Sequence, residues 1–133
     1  MVRSTVARAL VTAVVPLTAT RTVANAALTL TTPAVDSAGS PATGDCVLTN
    51  ISASPVLVSS VQLFDGNGDA ITPDYDDCTL PPATIPAHSS CHVYKFSIPN
   101  AYCTATASSP KVRLSFNLVD GGYNTIVTVP GTK

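Results

Sequence analysis

Lys111-Val-Arg-Leu-Ser-Phe-Asn-Leu-Val119 is the stretch that decides the fold class. Val112, Leu114, Phe116 and Leu118 are apolar and alternate with Lys111, Arg113, Ser115 and Asn117. Successive side chains of an extended chain point to opposite faces. A period of two is therefore the pattern of a strand with one dry face and one wet face. Asp120-Gly-Gly-Tyr123 then supplies a hairpin connection, and Asn124 to Val129 is predicted to return as the final strand.

The same chemistry extends backwards. Strands are predicted at Ala101 to Ala107, Cys91 to Ile98, Val56 to Phe64 and Cys46 to Ile51, with brief pieces at Ala70 to Thr72 and Cys78 to Leu80. Tyr94, Phe96 and Ile98 share one face against Val93, Lys95 and Ser97, which makes Tyr94 a predicted core residue. Ala27 to Thr32 alternates and reads as a first edge strand. Pro33 to Gly44, built of Pro, Ala, Ser, Gly and Thr with little to bury, reads as a linker. The expectation is an all-β, antiparallel, immunoglobulin-like β-sandwich of seven or eight short strands with two disulfides.

Composition agrees. The chain has 133 residues, 11% charged and 5% aromatic, with eleven prolines, no tryptophan and no glutamate. Its abundant Thr and Val are stiff at χ1 and suit pleated surfaces.

The first 26 residues differ from the rest. Arg3 and Arg8 precede the apolar run Ala9 to Ala19, and Ala24-Asn-Ala26 has the small residues of a cleavage site. That order predicts a secretory signal over 1–26, an edge strand and flexible arm over 27–43, and a sandwich over 44–133. The apolar run is shorter than the roughly 20 residues that span a bilayer, so no membrane span is expected. Loss of 1–26 lowers Lys+Arg from 7 to 4 against eight aspartates, a mature charge of −4. Without clustered cations, nucleic acid is not an expected partner. The predicted location is secreted or cell-surface.

Cys46, Cys78, Cys91 and Cys103 all lie beyond the predicted signal. An even count in an exported domain implies two bridges. A zinc set drawn from Cys78, His88, Cys91 and His92 lacks the usual Cys-x-x-Cys pair. Cys78 and Cys91 bracket a loop whose three prolines cannot join a central ladder, where a local clamp is useful. Cys46 with Cys103 then ties early chain to late chain. The predicted pairing is Cys46–Cys103 with Cys78–Cys91; Cys46–Cys78 with Cys91–Cys103 is the competing connectivity.

Cys46-Val-Leu-Thr-Asn50, Phe64-Asp-Gly-Asn-Gly68, Cys78-Thr-Leu-Pro-Pro82 and Ala101-Tyr-Cys103 resemble landmarks of small exported bacterial sandwich domains of immunoglobulin-like or fibronectin-like build. The resemblance covers about residues 44–130 and implies fold and location, not activity. There is no core tryptophan, and Tyr102 adjoins Cys103 instead of standing two residues before it.

Phe64 to Asp77 holds five of the eight aspartates in fourteen positions. Asp65, Asn67 and Asp69 supply oxygens at alternate positions, as a calcium loop does, with Asp76 at its twelfth position. The sixth position is Ala70 instead of Gly, the twelfth is Asp instead of Glu, and Pro73 interrupts. The competing reading is a hairpin turn on Asp-Gly-Asn-Gly followed by a soluble loop. Calcium is the one cofactor this leaves open.

No nucleophile elbow is present, and no glutamate is available as acid or base. His88 reads as a loop residue and His92 as an outward strand position beside Cys91. Tyr75 and Tyr123 are the predicted exposed tyrosines, Tyr102 fits either face, and Asn50-Ile-Ser52 matches a glycosylation acceptor. Together these predict an exported non-enzymatic surface, adhesive or binding module with a protein or glycan partner. Two alternatives stand beside it. One is a subunit of an extracellular assembly, homo-oligomers included, whose 27–44 arm adds a strand to a neighbour. The other is a small secreted hydrolase, which needs a histidine, an aspartate and a serine in one cleft.

Overall fold

The computed structural model describes residues 27–38, 41–121 and 125–133, without the side chain of Ile126. The signal assigned to 1–26 and the end of the 120–123 turn lie outside them. Every named element is a strand: β1 Leu28–Thr31, β2 Val35–Asp36, β3 Ala42–Asn50, β4 Val56–Asp65, β5 Ala70–Ile71, β6 Tyr75–Asp76, β7 Thr84–Ile85, β8 Ser90–Ile98, β9 Asn100–Ala107, β10 Val112–Val119 and β11 Thr125–Pro130. Seven of these described strands run four residues or more, and all pairings are antiparallel.

Two sheets form. One runs β11-β10-β3-β8-β6; the other runs β1-β9-β4-β5, with β2 added to β9 and β7 to β4. Their inner faces meet in a core whose residues come from period-two alternation, broken once in β4 and once in β8. Val112, Leu114, Phe116 and Leu118 of β10 are buried, as are Cys46 and Leu48 of β3 and Cys103, Ala105 and Ala107 of β9. The small side chains of β9 leave room for Phe116, the largest fully buried side chain. Gly44, at an inward position of β3, makes the same allowance: a Cβ there would stand 2.1 Å from Ile98 Cδ1 and 2.7 Å from Phe116 Cζ.

Cys46–Cys103 joins β3 of one sheet to β9 of the other, and Cys78–Cys91 clips the 74–83 loop to β8. With β3, β4, β8 and β9 as strands B, C, E and F, the B·E and C·F pairs and a B–F bridge follow the immunoglobulin pattern. The outer strands do not. β10 lies beside B and β1 beside F, the reverse of where A and G stand in that pattern.

Two expectations need correction. Tyr94 is not core: Cys91 and Val93 are the inward residues, and Tyr94 and Phe96 face solvent. A bulge is the reason. Ala42 pairs Ile98 while Gly44 pairs Lys95, so β8 carries an extra residue, and Ser97 adopts φ 58°. One extra residue reverses the facing of everything beyond it, which returns Ile98 to the core. The described part of the 33–44 stretch is not a linker. β2 pairs with β9, Ser37 is buried, and β3 begins at Ala42. The first edge strand expected at 27–32 is β1, at the end of its sheet, with Leu28 opposite Ala107 and Thr31 opposite Thr104.

Candidate functional site

The outer face of the five-stranded sheet gathers what the inner face excludes. Register places Thr128, Asn117, Asp45, Tyr94 and Tyr75 in one row across β11, β10, β3, β8 and β6. Tyr75 and Tyr94 stack with centroids 4.8 Å apart at 17°. That separation equals the spacing of neighbouring strands, about 4.8 Å. The two rings therefore stand on the sheet like adjacent books, and Tyr94 turns its second face toward β3. Phe96 meets Tyr94 edge-on at 5.3 Å and 64°. Tyr75 is 43% exposed and Phe96 52%, whereas Phe64, Tyr94 and Tyr102 are half-buried.

Beside Tyr94 lies an open cavity of about 280 Å³, lined by Thr43, Asp45, His92, Tyr94, Phe96 and Val119. His92 Nδ1 stands 3.1 Å and 3.2 Å from the two carboxylate oxygens of Asp45. A carboxylate only accepts, so Nδ1 carries the proton. An aspartate held on a histidine Nδ1 is also how a hydrolytic triad begins, and such a triad needs a hydroxyl at the other ring nitrogen. Among the described residues no hydroxyl hydrogen-bonds the His92 ring, so the third member is not assembled there.

The acidic stretch holds the edge of this face in place. Asp65 Oδ1 accepts the amides of Asn67 at 2.8 Å and Asp69 at 2.9 Å, and Gly68 takes φ 91°. Those hydrogen bonds, Asp69's first, lower the Asp65 pKa. Asp74 accepts from Lys95 Nζ at 2.7 Å and from the Phe96 amide at 2.9 Å, and the lysine is the main reason its pKa falls. Asp76 accepts the amides of Cys78 and Thr79 and the Thr79 hydroxyl. Asp77 accepts the His92 amide and, at 3.2 Å, the Tyr75 hydroxyl, which raises the Tyr75 pKa. The carboxylates of Asp65, Asp74, Asp76 and Asp77 cap different main-chain donors, so these four work as turn and loop clamps. Among the described residues, the one trio of His, Cys or Asp ligand atoms close enough to share an ion is Asp77, Cys78 and Cys91, and both sulfurs are in the disulfide.

The remaining candidates from the sequence fall elsewhere in the fold. His88 sits in an exposed turn with φ 55°. Tyr102 stacks on Phe64 at 5.1 Å on the outer face of the opposite sheet, and both rings are half-buried. Tyr123 lies outside the described residues. Asn50 of the glycosylation pattern is fully buried. Its Nδ2 donates to the carbonyls of Ser54, Ile85 and Pro86 at 2.8, 3.2 and 3.0 Å.

Asp45 and Phe96 are the site residues that sequence reasoning misses. A usable signal exists: Cys91 must face its bridge, and His92 and Tyr94 have the opposite parity. No family model, curated protein or solved structure matches the chain.

Proposed function

We propose that this protein is an exported, non-enzymatic binding module whose contact surface is the outer face of the five-stranded sheet. One observation carries the reading: Tyr75 and Phe96 are exposed, half-buried Tyr94 packs against both, and Tyr94 and Phe96 line an open cavity, although the same fold buries Phe116 completely. Exposed aromatic groups rimmed by polar residues are how interaction sites differ from ordinary surface. Export is supported by the two disulfides, which suit an oxidising extracellular or periplasmic compartment, and by the order of features in residues 1–26. The resemblance to small exported immunoglobulin-like domains agrees with this use of the fold, and the Asp45–His92 pair serves as polar lining.

Retention on immobilised polysaccharides and on peptide arrays tests the reading. The wild type is expected to be held by at least one ligand, and Tyr94→Ala with Phe96→Ala to be released while melting within a few degrees of wild type. Retention that survives the double substitution places the contact on another surface.

A further inference from the structure

We infer that the cavity beside Tyr94 takes a guanidinium group, the arginine side chain of a partner polypeptide. This rests on the outer face being the contact surface and adds the chemistry of what it holds.

Shape and charge both select this group. Tyr75 covers one face of Tyr94, and the other looks across to β3, where the register partner is Asp45. The next place in the stack is therefore a slot with an aromatic wall and a carboxylate beside it. Phe96 and Val119 add apolar walls, and Thr43 and His92 add polar ones. A guanidinium is planar, stacks on aromatic faces, and offers paired N–H donors that match a carboxylate. A lysine ammonium has no plane to stack.

Charge points the same way. Lys95 lies next to Tyr94 in sequence, but its ammonium is held by Asp74 at 2.7 Å. Asp77 is bonded by the Tyr75 hydroxyl and the His92 amide, neither of them a cation. Asp45 is bonded by the His92 imidazole. Arg113, also exposed, sits further along β10 opposite Thr49. The slot is thus acidic and aromatic, and its neighbouring lysine is already committed. Asp45 keeps part of its side chain, 19%, open to solvent and can accept a second donor.

Calorimetry with three capped tripeptides, Gly-Arg-Gly, Gly-Lys-Gly and Gly-citrulline-Gly, tests this on the disulfide-bonded protein. The arginine peptide is expected to bind at least tenfold more tightly than its neutral isostere citrulline or the lysine peptide. Asp45→Asn and Tyr94→Ala should each remove at least tenfold of that affinity, and Tyr94→Phe should keep most of it. Equal affinity for arginine and citrulline, or no loss with Asp45→Asn, overturns the inference. Binding of a neutral cello-oligosaccharide that Tyr94→Ala abolishes, with no arginine binding, also overturns it and leaves the contact surface standing.

Discussion

Asn50 binds Ser52 twice: its Oδ1 accepts the Ser52 amide at 2.9 Å and the Ser52 hydroxyl at 2.7 Å. Both residues belong to the Asn-x-Ser triplet, and the contacts that close it also shut Asn50 inside the fold. Its Nδ2 meanwhile satisfies carbonyls of the 85–86 segment, pinning two loops at one end of the sandwich.

Asn50→Ala should therefore destabilise the domain by about 2–4 kcal/mol, because it strands buried polar groups as well as deleting hydrogen bonds. Urea denaturation checks the magnitude. Mass spectrometry of the folded protein from a glycosylating host is expected to find Asn50 unmodified.

Ser97 tests the bulge. A non-glycine residue at φ 58° is strained, and glycine is not. Ser97→Gly is expected to leave stability unchanged or raise it by up to about 1 kcal/mol, whereas Ser97→Val should lower it. The opposite order in a thermal melt would mean that β8 does not turn over at this point.

Asp65 and Asp74 contribute to the acid response. Both carboxyls titrate below the ordinary 3.8 because the folded contacts favour the charged form. Their contribution is complete above that value and is lost as pH falls through it toward the lower folded values. The Phe96 amide resonance should move as Asp74 titrates, and Asp74→Asn should abolish that movement. Asp65→Ala should lower the melting temperature equally with calcium or with a chelator. A calcium-dependent rise that Asp69→Ala removes would support a cation site at Asp65, Asn67 and Asp69.

The bridges are the most stringent check on topology. A linked peptide joining Cys46 to Cys103 is expected in non-reducing digests, and one joining Cys46 to Cys78 would contradict the two-sheet arrangement. Loop entropy assigns the longer bridge, whose cysteines stand 57 positions apart, about 4 kcal/mol, so Cys46→Ala with Cys103→Ala should lose several kcal/mol.

Much of this fold is legible in sequence. The alternation of 111–119 predicts β10 with its buried face, and loop composition with proline placement predicts both bridges. Tyr94 is misplaced by period-two reasoning because that reasoning assumes an unbroken strand. The extra residue near Ser97 reverses parity, and Ser97 has no side-chain signature for that, as a glycine would have. β4 hides a similar shift between Val58 and Ser60, after which Val61 and Leu63 replace Val56 and Val58 as the inward series. The linker expectation at 33–44 fails for another reason. Ala42 and Gly44 look like spacer residues, yet Ala42 is buried and a side chain at Gly44 would collide with Ile98 and Phe116. The aromatic face needs the register of β6, β8 and β3 at once, and no local pattern encodes pairing between such distant segments.

Amide shift mapping during titration with the capped arginine tripeptide tests the contact surface most directly. Shifts are expected to concentrate at residues 43–47, 92–96 and 115–119 and to leave β1, β4 and β9 still. Shifts centred on Phe64 and Tyr102, on the opposite sheet, would contradict the account.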